Sequence, residues 1–441
     1  MRKLLLGTTA VAAAALFGAH DASAQTAPTV RIGGYFGTAW FNVQDTADKA
    51  AVVANPAAGQ PANATRTFGR DQNDFYTDFE IQVFVTGKAA NGLVYGATME
   101  LQMDNVGAGS PGTTLDVDEA YAFVSTPTLG TIRFGDEDSA ANLLQVRAPM
   151  IAGMGSDGVW DEGLRPSSSG LRATNGSSPS LLTAINDGSD SSKIIYLSPQ
   201  FYGFDAGVSY APNAGEGERY YLGTAFQPTG PAAAQGAVGQ RDRTTTRNEV
   251  SYGLRYRGTF SGVGIAAGFG GMFMDPATIG AVTGGAAQTT GTALNNLRQI
   301  TAYTVGLNLS AYGFTVGGEY TWGNYALQSV GRTALPRTLN GSSHYVVSAT
   351  YTTGALAFGA FYGQGEQDNP TLANGASPGN RTQSIYGIGA AYTVAPGMDL
   401  IANYTWMDDK NDPFNIAPVG STFTSTSREA QVLVVGTRLA F

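Results

Sequence analysis

Carboxylates crowd one stretch of this chain. Asp136, Glu137, Asp138, Asp157, Asp161 and Glu162 fall within it, Arg147 is the only cation among them, and Arg165 and Arg172 follow. Acids gathered this way raise the local cation concentration wherever they line a passage, and are merely solvated where they do not. Several arginines sit elsewhere between apolar neighbours. Arg31 alternates with Val30 and Ile32, Arg133 with Ile132 and Phe134, Arg255 with Leu254 and Tyr256, and Arg438 precedes Leu439. A charge facing lipid at mid-depth costs several kcal/mol, roughly 2–4. If these segments cross a membrane, the arginines must therefore point the other way, toward the interior.

Other chemistry finds little support. Ser167 to Ser169 could be imagined as nucleophiles, but a serine hydrolase needs a positioned base and an orienting partner. Of two histidines, His20 lies in the leader described below, and His344 is some 175 residues from those serines. Cysteine is absent, which excludes thiolate metal sites, cysteine nucleophiles and a disulfide framework. Gly107-Ala108-Gly109-Ser110-Pro111-Gly112 matches a dinucleotide pattern, yet it leads into Leu115-Asp116-Val117, which reads as a strand. Pyrophosphate binding needs a helix N-terminus there. Gly87-Lys88 is followed by Ala89, so no phosphate-loop pattern exists either. No cofactor is expected, and a net charge of −9 argues against nucleic acid as a partner.

The elements that must position the charges follow from the chain's start and its periodicity. Arg2 and Lys3, an apolar run from Leu4 to Phe17, and Ala22-Ser23-Ala24 form an export signal, predicting residues 1–24 as a leader and 25–441 as the mature protein. No mature segment approaches 18 consecutive apolar residues, although 43% of the chain is hydrophobic and 59 residues are glycine. An exported chain can still cross a bilayer as a closed barrel, which pairs every backbone group between strands.

Period-two alternation supplies such strands. Tyr303, Val305, Leu307 and Leu309 alternate with Thr304, Gly306, Asn308 and Ser310, and after a turn at Ala311-Tyr312-Gly313 the pattern resumes from Phe314 to Trp322. The same alternation predicts about sixteen strands. They run over 30–43, 75–87, 93–104, 116–125, 130–136, 192–198, 204–211, 247–257, 263–274, 299–310, 314–323, 343–352, 355–364, 382–394, 398–407 and 428–441. Short turns alternate with long polar loops, and Tyr303, Trp322, Tyr345, Tyr351, Tyr386 and Trp406 bound the apolar faces. Both are features of an all-β transmembrane antiparallel barrel with short periplasmic turns and long extracellular loops. Sixteen strands leave an aqueous lumen, whereas eight are filled by side chains. Because the first strand opens at Val30, no plug domain is expected before it.

The final strand ends at Phe441, with Leu433, Val435, Thr437 and Leu439 on the same face. With Val30-Arg31-Ile32-Gly33-Gly34-Tyr35, Gly87-Lys88-Ala89-Ala90-Asn91-Gly92-Leu93, Asp118-Glu119-Ala120-Tyr121 leading to Gly130-Thr131-Ile132-Arg133-Phe134-Gly135, and Ser198-Pro199 before Gly203-Phe204, this ending resembles the Gram-negative outer-membrane general porins, most nearly those of alphaproteobacteria. The resemblance spans the mature chain and implies a passive channel for small hydrophilic solutes and ions, and a homotrimer. It also implies assembly through recognition of Phe441 by the barrel-assembly machinery, and contact with outer-membrane lipid and lipopolysaccharide. It implies further that the third loop, 137–191, folds into the lumen, setting its acids against arginines on the opposite wall. A substrate-specific channel, and more remotely a barrel enzyme, stand as the alternatives.

Overall fold

A computed structural model describes residues 27–49, 52–54, 65–67, 71–102, 116–155, 158–164, 167–169, 182, 184–185, 190–213, 246–276, 297–325, 341–369, 379–411, 416–418 and 425–441. The leader, the glycine motif at 107–112, and Asp157, Arg165 and Arg172 lie outside these residues, and the side chain of Glu162 is likewise not described.

Sixteen strands close into one antiparallel barrel. In chain order they are β1 (Thr29–Asp45), β2 (Asn73–Lys88), β3 (Val94–Gln102), β4 (Asp116–Thr126), β5 (Gly130–Asp136), β6 (Ser192–Leu197), β7 (Phe204–Asn213) and β8 (Arg247–Phe260), followed by β9 (Val263–Asp275), β10 (Ile300–Ala311), β11 (Phe314–Asn324), β12 (Ser342–Thr353), β13 (Leu356–Asp368), β14 (Asn380–Ala395), β15 (Met398–Lys410) and β16 (Ser427–Ala440). Each strand pairs with its sequence neighbours, and β1 closes the ring against β16 in register Asp45↔Ala430 to Tyr35↔Ala440. Phe441 completes the seam beyond the last strand. Its amide donates to the Gly34 carbonyl and its own carbonyl accepts from the Gly34 amide, both at 3.1 Å.

The alternation places the strands but shortens them. β13 continues to Asp368, β15 to Lys410 and β8 to Phe260, three or more residues past the alternating stretches. The reason is physical. Alternation marks where one face meets lipid, whereas ladder hydrogen bonds persist into rims where both faces are wet.

The barrel is polar inside and apolar outside. Along β12, His344, Val346 and Ser348 are buried on the lumen side, while Tyr345 and Val347 are exposed on the outer side. Outward rings gather near both rims. Tyr320 stacks on Trp322 at 5.1 Å and Tyr386 on Trp406 at 5.2 Å toward one end, and Phe314 meets Tyr351 at 4.4 Å at the other. Ring bodies at the apolar edge with polar tips in water suit two membrane interfaces. Among the described residues no helix is long and apolar enough to cross a membrane.

Candidate functional site: a loop inside the lumen and the arc it leaves open

Between β5 and β6 the chain turns inward and is held to the inner wall by polar groups on successive strands. Ser139 caps a single helical turn, Ala140–Leu143, its Oγ accepting from the Asn142 amide at 3.3 Å. A cap satisfies a turn-end amide that would otherwise be unpaired. The next amides reach the wall: Ala140 N donates to Ser209 Oγ (3.0 Å) and Ala141 N to Ser251 Oγ (3.2 Å). Arg255, bound to Asp205 at 2.6 Å, also donates to the Leu143 carbonyl at 3.3 Å. Farther on, Asn308 Nδ2 donates to the Arg147 carbonyl (2.9 Å), Ser348 Oγ to that of Pro149 (2.6 Å) and Asn403 Nδ2 to that of Ala152 (3.5 Å). The loop thus runs along the wall from β7 past β10 and β12 to β15.

Glycine permits this close approach at β10. A Cβ at Gly306 would sit 1.7 Å from the Val146 carbonyl oxygen, so any other residue there pushes the loop off. The far end of the loop is pinned by Trp160, which is 1% exposed among Phe41, Val43, Met154, Leu164 and Val432, its indole N–H donating to the Gly155 carbonyl at 2.8 Å. A cleft of about 290 Å³ lined by Tyr35, Tyr76, Asp78, Met154, Val159 and Arg438 separates this end from the β1–β2 wall.

The inner face of β2 to β4 carries a row of carboxylates. Asp78, Glu80, Gln82, Glu100 and Glu119 point inward there. Gln82 Nε2 donates to Glu80 Oε1 and Glu100 Oε1, each at 2.6 Å, so one amide spans two acids on neighbouring strands. Tyr35 Oη donates to Asp78 Oδ2 at 2.8 Å. A register shift between Met99 and Leu101 opposite β4 brings Asp118 and Glu119 together beside Glu100.

At the loop root, Arg133 Nη1 is 2.9 Å from Glu137 Oε1, and Lys193 Nζ donates to the Glu137 carbonyl. Asp136 accepts from Ser192 Oγ. Burial nevertheless pushes the Glu137 carboxyl up to about 7, against the pull of Arg133 and Lys193. Asp190 is pushed up to about 8, first by burial and then by Asp118 and Asp138, with Lys193 opposing. Asp138 is raised by burial, opposed by Asn142 and Lys193.

The Glu137 and Asp190 carboxyls therefore hold protons near pH 6 and ionise only as pH rises through about 7 to 8. Because these values are raised above the ordinary carboxylate range of about 4, their contribution to stability is fully present below that range and is lost progressively as pH rises from there through about 7 to 8. The cation-to-anion permeability ratio, read from reversal potentials, is expected to fall as pH drops from about 9 to 6. A ratio that stays flat until about pH 4.5, the ordinary carboxylate range, sinks this assignment.

The structure brings only some of the charged residues singled out in the sequence together. Asp136, Glu137, Asp138 and Arg133 meet at the loop root. Asp161 is buried at the start of the turn Asp161–Gly163, near the far end of the loop. Arg147 pairs with Glu319 of β11 at 3.5 Å. Arg31 lies three residues into β1, its guanidinium carbon 4.1 Å from the centre of the Phe84 ring and remote from the loop root. The acids of the open arc (Asp78, Glu80, Glu100 and Glu119) went unmarked. The signal was available, since Asp78 and Glu80 alternate with Phe79 and Ile81 just as Arg133 does with Ile132 and Phe134.

A closed sixteen-stranded barrel with an apolar exterior and a loop lying in its lumen has known counterparts. An anion-selective porin from Comamonas acidovorans is 14% identical, with 94% of this chain and 100% of that chain covered and a TM-score of 0.53. The outer-membrane protein OmpT of Vibrio cholerae, in its trimer form, is 14% identical over the same shares with a TM-score of 0.52. These likenesses are of fold. No curated protein matches the chain in sequence. The sequence profile described as Gram-negative porin matches residues 8–412. With lumen, lining and seam in place, that match settles the lineage: the chain belongs to the Gram-negative porin family, and it is an outer-membrane channel.

Proposed function

We propose that the channel is a general diffusion pore, passing small hydrophilic solutes and ions passively, without catalysis, and favouring cations modestly. The observation that carries this reading is the open arc of β2 to β4, where lumen-facing carboxylates stand opposite a loop fastened to the remaining wall. On this reading 137–191 is the constriction loop, with Asp136, Glu137, Asp138, Asp157, Asp161 and Glu162 as its acids. Arg31, Arg133, Arg147, Arg165 and Arg172 are the balancing cations, of which Arg133 and Arg147 are already ion-paired. Residues 1–24 serve as a cleaved leader. The barrel works as a homotrimer against lipid and lipopolysaccharide, and Phe441 marks the last strand for the assembly machinery.

Glu80 and Glu100 offer the direct test, because they share one hydrogen-bonding amide and line the free arc. The purified protein in a planar bilayer is expected to give stepwise conductance with a cation-favouring reversal potential in a KCl gradient. The double substitution Glu80→Gln and Glu100→Gln is expected to cut the permeability ratio roughly twofold, since rings of carboxylates set local cation concentration. Anion preference in the unsubstituted protein sinks the charge reading, and an inserted barrel that stays silent sinks the pore.

A further inference from the structure

One lumen-facing side chain holds both an acid and a base beside the cleft at the loop's far end. Tyr35 Oη donates to Asp78 Oδ2 at 2.8 Å, and the Arg438 guanidinium carbon lies 4.8 Å from the centre of the Tyr35 ring. Gly37 is in register with Asp78 on one side and with Arg438 on the other. Two strand spacings of about 4.8 Å put the backbones of the two charged residues about 10 Å apart. Among the described residues no carboxylate stands within 4 Å of the Arg438 guanidinium, and the Asp78 carboxylate accepts only from Tyr35 and keeps Oδ1 for another donor. Two further acids stand near. Asp399, in register with Arg438 from β15, accepts from Thr393 Oγ1 at 2.7 Å and does not line the cleft. Glu80, opposite Tyr35, is engaged by Gln82.

Glycine leaves the space between the two charges. A Cβ at Gly37 would meet nothing nearer than the Asp78 Cβ, at 3.9 Å. Gly153 brings the loop close over the wall beside it, since a Cβ there would lie 2.5 Å from Ile401 Cδ1. The cleft of about 290 Å³ is thus charged along the row of Asp78 and Arg438. It is largely apolar in the next row, where Tyr76 and Ile401 line it from the wall and Met154 and Val159 from the loop.

We propose that this cleft is a subsite for zwitterionic solutes, α-amino acids with a bulky apolar side chain. The inference rests on the open-pore reading. The solute's ammonium group donates to Asp78 Oδ1, its carboxylate accepts from Arg438, and its side chain enters the apolar row. Charge selects the class. A simple cation drawn to Asp78 also meets the field of Arg438, and a simple anion drawn to Arg438 meets that of Asp78. The two stand within about one Debye length at 0.1 M salt, about 10 Å. Only a solute carrying both signs satisfies both partners and strands neither. Apolar burial then favours leucine over glycine.

The test is single-channel recording of the purified protein at neutral pH in 0.1 M KCl with L-leucine added, each block read against the same channel's own open current. Leucine is expected to interrupt the current saturably, with half-block on the order of a few millimolar, the range open to so small a ligand. The amine 3-methylbutylamine and the acid 4-methylpentanoate carry the same side chain with one charge each, and should need roughly tenfold more, as should glycine. Asp78→Asn and Arg438→Gln should each weaken block by leucine roughly tenfold, the worth of one charge-assisted hydrogen bond. Gly37→Val keeps both charges but fills the floor between them, and should weaken block as much. Should a charge variant fail to fold, the other variants and the analogues on the unsubstituted protein decide. Equal block by the amine alone means attraction to acids only and overturns the inference. A linear, unsaturable fall in current, or no block by leucine up to its solubility, overturns it too. Each of these leaves the pore standing, whereas a barrel that inserts and passes no current overturns both.

Discussion

Arg428→Ala is expected to cost the barrel about 3–5 kcal/mol, the toll of breaking one side of a buried ion pair. Arg428 and Asp45 are 0% and 1% exposed at the side chain, and the guanidinium reaches both carboxylate oxygens, at 2.6 and 3.2 Å. The pair bridges β16 to β1, the strands that close the ring, so its loss leaves the buried Asp45 carboxylate, which also accepts from the Ala47 amide at 2.9 Å, without the guanidinium that balances it. Arg428→Lys should recover only part of the loss, because an ammonium cannot meet both oxygens as the planar fork does. The double change Arg428→Met with Asp45→Leu should restore most of the stability, since removing both charges strands neither. Thermal unfolding in detergent, followed by the loss of compact migration on unheated gels, reads all three. An Arg428→Ala barrel that melts with the parent refutes the argument.

That seam shows what could and could not be read from residues alone. The strands were legible because lipid imposes a strict demand on every second side chain, and a segment such as Tyr303 to Leu309 meets it without exception. The orientation of the arginines followed from the same rule, as Arg255 bears out by facing inward to Asp205 and the loop carbonyl of Leu143. Depth was not legible. Arg31 and Arg133 share a phase, yet one rests on Phe84 near the strand's start while the other anchors the loop root through Glu137. Pairing across the barrel was equally hidden. Nothing local to Asp45 announces Arg428, 383 positions away, or Asp409 to Arg381. Such partners are set by the number of strands and the stagger between them, which no single segment encodes. The acids of the arc carry an equally clear phase, Asp78 and Glu80 alternating with Phe79 and Ile81, but phase alone does not distinguish the stretch of wall that the loop leaves uncovered.

Trp160→Ala is the second large effect expected, and it should fall on the loop rather than on the barrel. Truncating a buried tryptophan typically costs about 3–5 kcal/mol in lost burial and cavity formation. The indole fills the space between the loop's far end and the inner faces of β1 and β16, touching the cluster that contains Phe41, Val43, Val432 and Leu164. Gly163 fits the same contact, since a Cβ there would already be 3.2 Å from Val43. The barrel's ladders do not depend on this side chain, and the loop keeps its earlier fastenings at Ser209, Asn308 and Ser348. The expected result is a melting transition close to the parent's, with open-channel current noise several-fold higher as the freed end samples the cleft beside Tyr35 and Asp78. Trp160→Phe, which keeps most of the buried ring but loses the bond to Gly155, should lie between the two. Quiet, parent-like current from Trp160→Ala would mean that the earlier fastenings alone hold the loop, and that the tryptophan serves only to fill space.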